Sequence, residues 1–402
     1  MSGVVAIPNS FFEDIWDRRA AVVPRAQLSV EFPDEAIVFE AIKVIGRRTL
    51  EQVEGRGRKD SVANMVSALD NKPSNPQPEP HLVPRESDRR LTDYLERCES
   101  FAAGRSWATA FFGLHKVSPE LWDFAKDFVD DVVAAAGRRP AGRVDFDCFV
   151  GRYEKTHVGA HIDDAHSFGF NLRGGKQLLT WPEAFDATMR TPTTAYEQYR
   201  SESTVLECDP DVVTYFPARE IHVAESTAGV SVNSNVALFE DVNHHDRLWL
   251  QTRREIEAIL SRNPSAKGLN SAEVYTWLDG VSQAAAAESL ELKLLSAALC
   301  WTTSGQLGCA RPEAPAAPTG SQPHKRREVV LAATRSGATV LISGNGRAAV
   351  LDTDPALSAF LEGYGETAIG DRLPATLTAK VDRSPAVASL FQALWTWGVV
   401  TA

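Results

Sequence analysis

The sequence has little of what several common protein classes require. No CxxC pair occurs in its 402 residues, and its five cysteines are scattered. These are Cys98, Cys148, Cys208, Cys300 and Cys309. An odd number of isolated cysteines argues against a disulfide framework and against a thiolate zinc site. The same pattern is typical of a reducing compartment, so we expect a cytoplasmic protein.

Long apolar runs and an excess of positive charge are also missing. No apolar run approaches the roughly 18 residues of a membrane-spanning helix, and residues 1–19 lack the pattern of a signal peptide. The 53 acidic and 42 basic residues give a net charge of −11, which disfavours nucleic-acid and anionic-membrane partners. The apolar content of 44% suffices for a sizeable core. A globular chain of two or three domains is therefore expected.

The N-terminal part of the chain, before Arg143, is predicted to contain two helices. Residues 8–22 place large apolar side chains at helical spacing, and residues 119–137 read as an amphipathic helix closed by Gly137. Between them, residues 51–92 are rich in charge and proline. We expect this middle stretch to form a long excursion over the surface.

From Arg143 onward, short β-type runs follow one another without clear intervening helices. Gly, Pro and Asp residues separate them, which is typical of an antiparallel sandwich or barrel. The runs are residues 143–153, 168–182, 203–217 and 229–239.

The C-terminal part of the chain, after Glu240, has a different pattern. Helical periodicity comes first, then a linker rich in Pro and Ala, then a predicted hairpin with an Asn345-Gly346 turn, and then two helices. Helices with a β-hairpin predict a small α+β, winged-helix-like domain, whose nearly balanced charge fits peptide contact better than nucleic acid. The predicted domains are a β core with N-terminal helices (1–240), a helical segment (241–310) and the C-terminal domain (325–402).

The residues most suggestive of chemistry form an HxD pair, His161 and Asp163. On a strand, positions i and i+2 share a face, so imidazole and carboxylate can converge on one ion. A third ligand should come from a distant strand, and His222 is the best candidate. Two histidines and one carboxylate on one face of a metal are typical of non-haem Fe(II) oxygenases. Asp164 and His166 compete as ligands, although Asp164 falls on the opposite strand face.

Two neighbouring features support a ligand pocket. Lys176 interrupts an otherwise apolar strand, and a buried ammonium needs a negative partner, which a dicarboxylate co-substrate would supply. Ser231, Asn233 and Asn235 alternate with valines, so one face of that strand either is solvated or lines a wet pocket.

The stretch AHIDDAHSFGFNLRGGKQLLTWP, residues 160–182, resembles the metal-binding core of the JmjC and cupin-like protein hydroxylases. These are Fe(II)- and 2-oxoglutarate-dependent oxygenases on a double-stranded β-helix (cupin or jelly-roll) core. The spacing to Lys176 is similar to that of the asparaginyl hydroxylase branch. The C-terminal region is similar in arrangement to the dimerising helices and winged-helix domain of bacterial ribosomal oxygenases. Two departures are Asp211, where the family usually has Gly, and Val158, where it often has Thr or Tyr.

The resemblance implies a role for each matching residue. His161, Asp163 and His222 correspond to the iron ligands, and they are therefore the catalytic residues. Lys176 corresponds to the lysine that binds the distal carboxylate of 2-oxoglutarate, with help from Asn235. The hydroxyls that could take the place of the missing Thr or Tyr are those of Tyr153, Thr156 and Ser167. Fe(II), 2-oxoglutarate and O2 are thus the implied cofactor and co-substrates.

Three functions remain open from the sequence. The first is a hydroxylase of an amino-acid side chain in a protein or peptide, which the extra C-terminal domain favours and for which the acidic chain suggests a basic partner. The second is a hydroxylase of a free amino acid or other small metabolite. The third is a non-catalytic cupin binding protein. The apolar helical spacing after residue 240, together with the resemblance to dimeric oxygenases, predicts a homodimer.

Overall fold

The chain divides into two compact units, Met1–Asp241 and Val242–Ala402. The structure is a computed structural model that describes residues 9–25, 31–54, 64–74, 77–140, 142–154, 156 and 158–240, and parts of 296–401. Within these residues, no helix is both long enough and apolar enough to cross a membrane. The predicted division into three domains stays a prediction.

Five helices belong to the described part of the first unit. They are α1 (Asn9–Asp14), α2 (Glu35–Val53), α3 (Leu91–Ala102), α4 (Pro119–Ala136) and α5 (Asp186–Met189). Helix α4 begins at Ser118, whose hydroxyl accepts a 3.2 Å hydrogen bond from the Leu121 amide. It ends at Gly137, where a φ of 71° suits glycine. The helix predicted for residues 119–137 is therefore confirmed.

Ten strands of the first unit form a single antiparallel sheet. They are β1 (Ala21–Pro24), β2 (Asn64–Leu69), β3 (Lys72–Ser74), β4 (Trp107–Phe112), β5 (Val144–Arg152), β6 (His161–Ile162), β7 (Ala165–Trp181), β8 (Thr204–Cys208), β9 (Val212–Phe216) and β10 (Ile221–Phe239). The order is β1-β9-β7-β10-β5-β4-β2-β3, with β6 beside β10 and β8 beside β7. The predicted mainly β, cupin-like core with flanking helices is confirmed.

The two longest strands give the sheet its rolled shape. The first half of β7 pairs with β9 and its second half with β8, while β10 pairs with β6 near its start and with β5 near its end. Register shifts between Ser226 and Asn233 mark the bend in β10. Opposite that bend, Gly174 has a φ of 72°, and an added Cβ would overlap the Val230 carbonyl. Residues from both halves of these strands therefore face one interior.

Alternation along β5 separates the core from that interior. Val144, Phe146, Cys148 and Val150 are buried on one face. Phe146 packs against Phe124 of α4 at a ring-centroid distance of 5.6 Å. The opposite face carries the half-buried Asp145, Asp147 and Phe149. The helices thus cover the apolar face of β5, and the side chains of its other face can form a binding site.

Two predictions in the N-terminal region are corrected by the structure. The helix expected within residues 8–22 is present but short, Asn9–Asp14, and residues 21–24 instead pair with β9 as strand β1. The surface excursion expected over residues 51–92 instead contains β2 and β3, and its Met65 and Leu82 are buried. Its apolar residues are few, but Met65 and Ala68 of β2 are buried where this strand pairs with β4.

The predicted β run over residues 203–217 is a pair of short strands. Strands β8 and β9 are separated by a turn, in which the Val212 amide donates to the Asp209 carbonyl at 3.2 Å. The Asp-Pro-Asp sequence at this point favours a turn over a continuous strand.

The second unit contains a three-stranded antiparallel sheet and a helix. Strands β12 (Val330–Ala333), β13 (Thr339–Gly344) and β14 (Arg347–Asp352) pair in this order, a two-residue pair joins β11 (His324–Lys325) to β15 (Val400–Thr401), and helix α6 is Pro385–Thr396. The predicted Asn345-Gly346 hairpin is confirmed, with φ of 49° and 76°. The predicted helical segment over residues 241–310 lies almost entirely outside the described residues.

Candidate metal and co-substrate site

Strand pairing brings together the two predicted histidine ligands, which come from distant parts of the sequence. His161 in β6 lies directly opposite His222 in β10, and their ring centroids are 4.4 Å apart. Asp163 follows β6, and its Oδ2 lies 3.6 Å from the Nε2 of His222 and 3.9 Å from that of His161. Candidate ligand atoms of all three residues lie within 4.8 Å of one another.

Backbone carbonyls orient both imidazole rings. The Nδ1 of His161 donates to the Gly159 carbonyl at 2.9 Å, and the Nδ1 of His222 donates to the Glu220 carbonyl at 3.0 Å. Each ring therefore presents the lone pair of its Nε2 toward Asp163, which is the arrangement a metal ligand requires. Burial, with a smaller contribution from His161, lowers the pKa of His222 to about 4, so this ring is neutral at neutral pH.

The two competing ligand candidates are held elsewhere. Asp164 pairs with Arg219 at 3.3 Å, and the Arg219 guanidinium also binds Glu183. His166 is fully buried, with its Nδ1 3.0 Å from the Tyr215 hydroxyl and its Nε2 2.9 Å from Glu240. The geometry therefore favours Asp163 over both alternatives.

All seven predicted site residues line one cavity of about 340 Å³ inside the rolled sheet. They are His161, Asp163, His222, Lys176, Asn235, Tyr153 and Ser167. Asn235 is oriented by Asn233, whose amide nitrogen donates to the Asn235 side-chain oxygen. The strands that supply these residues are distant in sequence, so the cavity is a product of the fold rather than of one local motif.

Lys176 is a buried cationic residue of this cavity. Its side chain is 5% exposed, and its Nζ lies 5.5 Å from the centroid of the Phe149 ring. No carboxylate among the described residues lies within ion-pair distance of it. Other basic residues in or next to this sheet already have partners: Arg143, which also lines the cavity, pairs with Asp145, Arg152 pairs with Glu99 and Arg173 pairs with Glu35. A buried ammonium without a counter-ion is costly, so the cavity is suited to an anionic ligand.

Sequence reasoning missed an acidic strip on β5. Asp145 and Asp147 line the same cavity, and Asp147 lies opposite Asn235 in the strand register. Asp145 is paired with Arg143 at 2.6 Å, whereas Asp147 accepts one hydrogen bond, from the Gly113 amide at 2.8 Å. The alternation of acidic and apolar residues in DFDCF, residues 145–149, could have predicted that both aspartates lie on one face of the strand.

Asp147 is expected to make the stability of the protein depend on pH. Burial raises its pKa to about 7, and the charge of Asp145 adds to this effect. A raised pKa stabilises the folded state most below the ordinary value near 4, and this contribution is lost as the pH rises through about 7. The free energy of unfolding of the wild type, minus that of Asp147→Asn, should fall between pH 4 and 7 and level off above. The slope should be at most about 1.4 kcal/mol per pH unit. Urea denaturation of metal-free protein at four pH values measures it, and a difference that stays constant with pH would contradict the assignment.

Comparisons with known proteins give limited information. No protein-family model matches the sequence, and no curated protein matches it. Among solved structures, that of YcfD, a ribosomal oxygenase from Escherichia coli, is 15% identical and covers 100% of this chain and 99% of that chain, with a TM-score of 0.47. A structure of YcfD in complex with cobalt and 2-oxoglutarate is 16% identical and covers 97% and 96%, with a TM-score of 0.46. Similarity at this level carries no argument about activity, so the function must be argued from the site itself.

Proposed function

We propose that the chain is an Fe(II)- and 2-oxoglutarate-dependent dioxygenase that hydroxylates an amino-acid side chain in a protein or peptide. One observation carries the proposal. A single cavity contains both a two-histidine, one-carboxylate cluster and a buried lysine that has no anionic partner among the described residues. The cluster suits a metal with open positions, and the lysine suits the far carboxylate of a dicarboxylate that also reaches the metal.

The donor set fits iron better than a structural metal. A structural zinc site is normally closed by four protein ligands, mostly thiolates and imidazoles. The buried cysteines of the first unit, Cys98, Cys148 and Cys208, are absent from the cluster. Three protein ligands on one face leave positions for a bidentate co-substrate and for dioxygen.

The chain's own residues bind and orient the reactants. When bound, the iron supplies oxidation of a substrate C–H bond by dioxygen, coupled to decarboxylation of 2-oxoglutarate. Lys176 neutralises the distal carboxylate and thereby fixes the direction in which the co-substrate enters. Phe149, Leu178 and Phe216 line the cavity beside it and exclude water from the reacting groups. The carbonyls of Gly159 and Glu220 keep both imidazole rings in place.

A protein or peptide substrate is favoured over a small metabolite by the size of the chain. Every described residue that lines the cavity belongs to the first unit, and the chain also has a second compact unit, Val242–Ala402. A metabolite hydroxylase needs no such addition. The alternative is a small-molecule substrate, and the experiment must distinguish it from a protein or peptide substrate.

The test is formation of succinate from 2-oxoglutarate by purified protein with Fe(II) and ascorbate. Succinate formation that increases with the macromolecular fraction of a cell extract supports a protein or peptide substrate. An increase with the small-molecule fraction alone supports the metabolite alternative. Absence of 2-oxoglutarate binding would contradict the oxygenase proposal and leave the non-catalytic binding protein.

We also propose that the protein is a homodimer, as the apolar helical spacing after residue 240 predicts. Trp249, Ile256 and Ile259 fall at helical spacing in that segment. Apolar surface of this kind is stable only when another surface covers it. Light scattering of the full-length chain is expected to give a mass of about twice 43.9 kDa. A mass equal to that of one chain would refute the dimer.

A further inference from the structure

A second chamber lies beside the candidate metal site. This side chamber has a volume of about 320 Å³, within the usual range of ligand pockets. It shares with the first cavity the residues Phe112, Phe149, Tyr153, Thr156, His161 and Asp163. Lys176 and Asn235 line the first cavity but not the side chamber. The side chamber thus reaches two of the three proposed ligands, His161 and Asp163. It does so from a side that is not lined by Lys176 and Asn235, the residues proposed to bind the co-substrate.

Small side chains create the space. Ala108 and Ala110 occupy alternate positions of β4 on the same face as Phe112, and all three line the side chamber. Ala68 of β2 lies opposite Ala108 in the strand register and lines it too. Larger residues at these positions would fill the side chamber.

Charge is confined to the metal ligands. Among the described residues that line the side chamber, only His161 and Asp163 can carry charge near neutral pH. The first cavity, by contrast, contains Lys176, Asp145 and Asp147. Because the metal would engage Asp163, a charged substrate group in the side chamber would lose its hydration without gaining a free counter-ion, which is costly. An uncharged, mostly apolar group has no such penalty.

Two buried hydroxyls point to a polar ligand atom as well. The Ser106 Oγ and the Thr156 Oγ1 are buried and find no hydrogen-bond partner among the described residues. Both residues line the side chamber. Buried polar atoms are nearly always hydrogen-bonded, so rotation of these two side chains toward the side chamber would let a bound molecule with a donor and an acceptor complete them. A peptide group next to an apolar side chain has this combination.

We propose that the side chamber binds an uncharged aliphatic side chain of the substrate, and that its adjoining peptide group bonds to Ser106 and Thr156. This inference rests on the proposed function and specifies its substrate class: a neutral aliphatic residue, not Arg or Lys, enters beside the metal. The negative charge of the chain would then act on residues that flank this position.

Binding of two capped amino acids tests the proposal. N-acetyl-L-leucinamide and N-acetyl-L-argininamide are titrated by ligand-observed NMR into the full-length protein, both metal-free and loaded with Co(II) and 2-oxoglutarate. The leucine probe should bind at least about tenfold more tightly. Ala108→Leu and, separately, Ala110→Val should weaken its binding at least about tenfold. The control Val205→Leu, at an exposed position of β8, should leave it unchanged. Thr156→Val should cost about 2- to 10-fold, as loss of one neutral hydrogen bond predicts.

Several outcomes would overturn the inference. These are tighter binding of the arginine probe to the protein loaded with Co(II) and 2-oxoglutarate, in which the metal engages Asp163, or leucine-probe binding that survives both alanine substitutions. Co(II) and 2-oxoglutarate affinities, measured on the same samples, show that each variant is folded at the metal site. If those affinities are absent while leucine-probe binding depends on Ala108, the proposed function fails and the side chamber stands. If those affinities are present and the leucine probe does not bind, the proposed function stands and the proposal for the side chamber fails.

Discussion

Replacement of Asp163 by alanine is expected to lower metal-dependent formation of succinate at least about 100-fold. The substitution removes the only carboxylate of the three-residue cluster, whose Oδ2 lies 3.6 Å from the Nε2 of His222. Loss of a mere hydrogen-bond partner of a metal ligand typically costs about 10- to 100-fold in metal affinity or activity, and loss of the ligand itself should exceed that. The measurement is the initial rate of 2-oxoglutarate turnover at saturating Fe(II), together with Co(II) affinity by absorption spectroscopy.

Asp164→Ala is the matched control for this substitution. Asp164 is the next residue in the chain and has the same charge, but its carboxylate pairs with Arg219. That ion pair is solvent-exposed and therefore contributes little to stability. Turnover should change less than about threefold. Full activity of Asp163→Ala, or a comparable loss in both variants, would refute Asp163 as the ligand.

The second large effect is expected at Lys176. Lys176→Ala should weaken 2-oxoglutarate binding by roughly 10- to 100-fold, because a hydrogen bond to a charged group is typically worth about 1.5–3 kcal/mol. Affinity for Co(II) should stay nearly unchanged, since Lys176 is separate from the three-residue cluster. Calorimetric titration of the Co(II)-loaded protein with 2-oxoglutarate measures the first effect.

Arg152→Ala supplies the control for lost positive charge. The Arg152 guanidinium pairs with Glu99, and the residue does not line the cavity. This variant should bind 2-oxoglutarate with the wild-type affinity. An unchanged affinity in Lys176→Ala, combined with a loss in Arg152→Ala, would show that the anion binds elsewhere.

The sequence predicts the candidate site better than it predicts the sheet around it. The HxD spacing places His161 and Asp163 close together, because Asp163 directly follows the short strand β6 that contains His161. His222 could be proposed only as a distant partner. Its position opposite His161 depends on the register of β6 against β10, which local periodicity does not encode. Lys176 could be singled out because a lysine on an apolar strand needs a partner.

The parts that sequence analysis missed are those with few apolar residues. Strand β2 has small buried residues such as Ser67 and Ala68, and it follows a charged stretch. Its pairing with β4 gives these residues their place in the core, so tertiary contacts decide what local composition does not. The side chamber was invisible for the same reason, since alanines on two strands form it. Asp147 was missed because burial, which the sequence does not show, is the main cause of its raised pKa.

The central claim is that one cavity holds a metal on three named residues and a dicarboxylate on Lys176. Anomalous diffraction at the cobalt edge, from crystals grown with Co(II) and 2-oxoglutarate, tests both parts in one map. A single strong cobalt peak is expected about 2.0–2.2 Å from the Nε2 atoms of His161 and His222 and from a carboxylate oxygen of Asp163. Density for 2-oxoglutarate is also expected, with one carboxylate within hydrogen-bond distance of the Lys176 ammonium. A cobalt peak at Asp164 or His166, or a dicarboxylate bound away from Lys176, would contradict the claim.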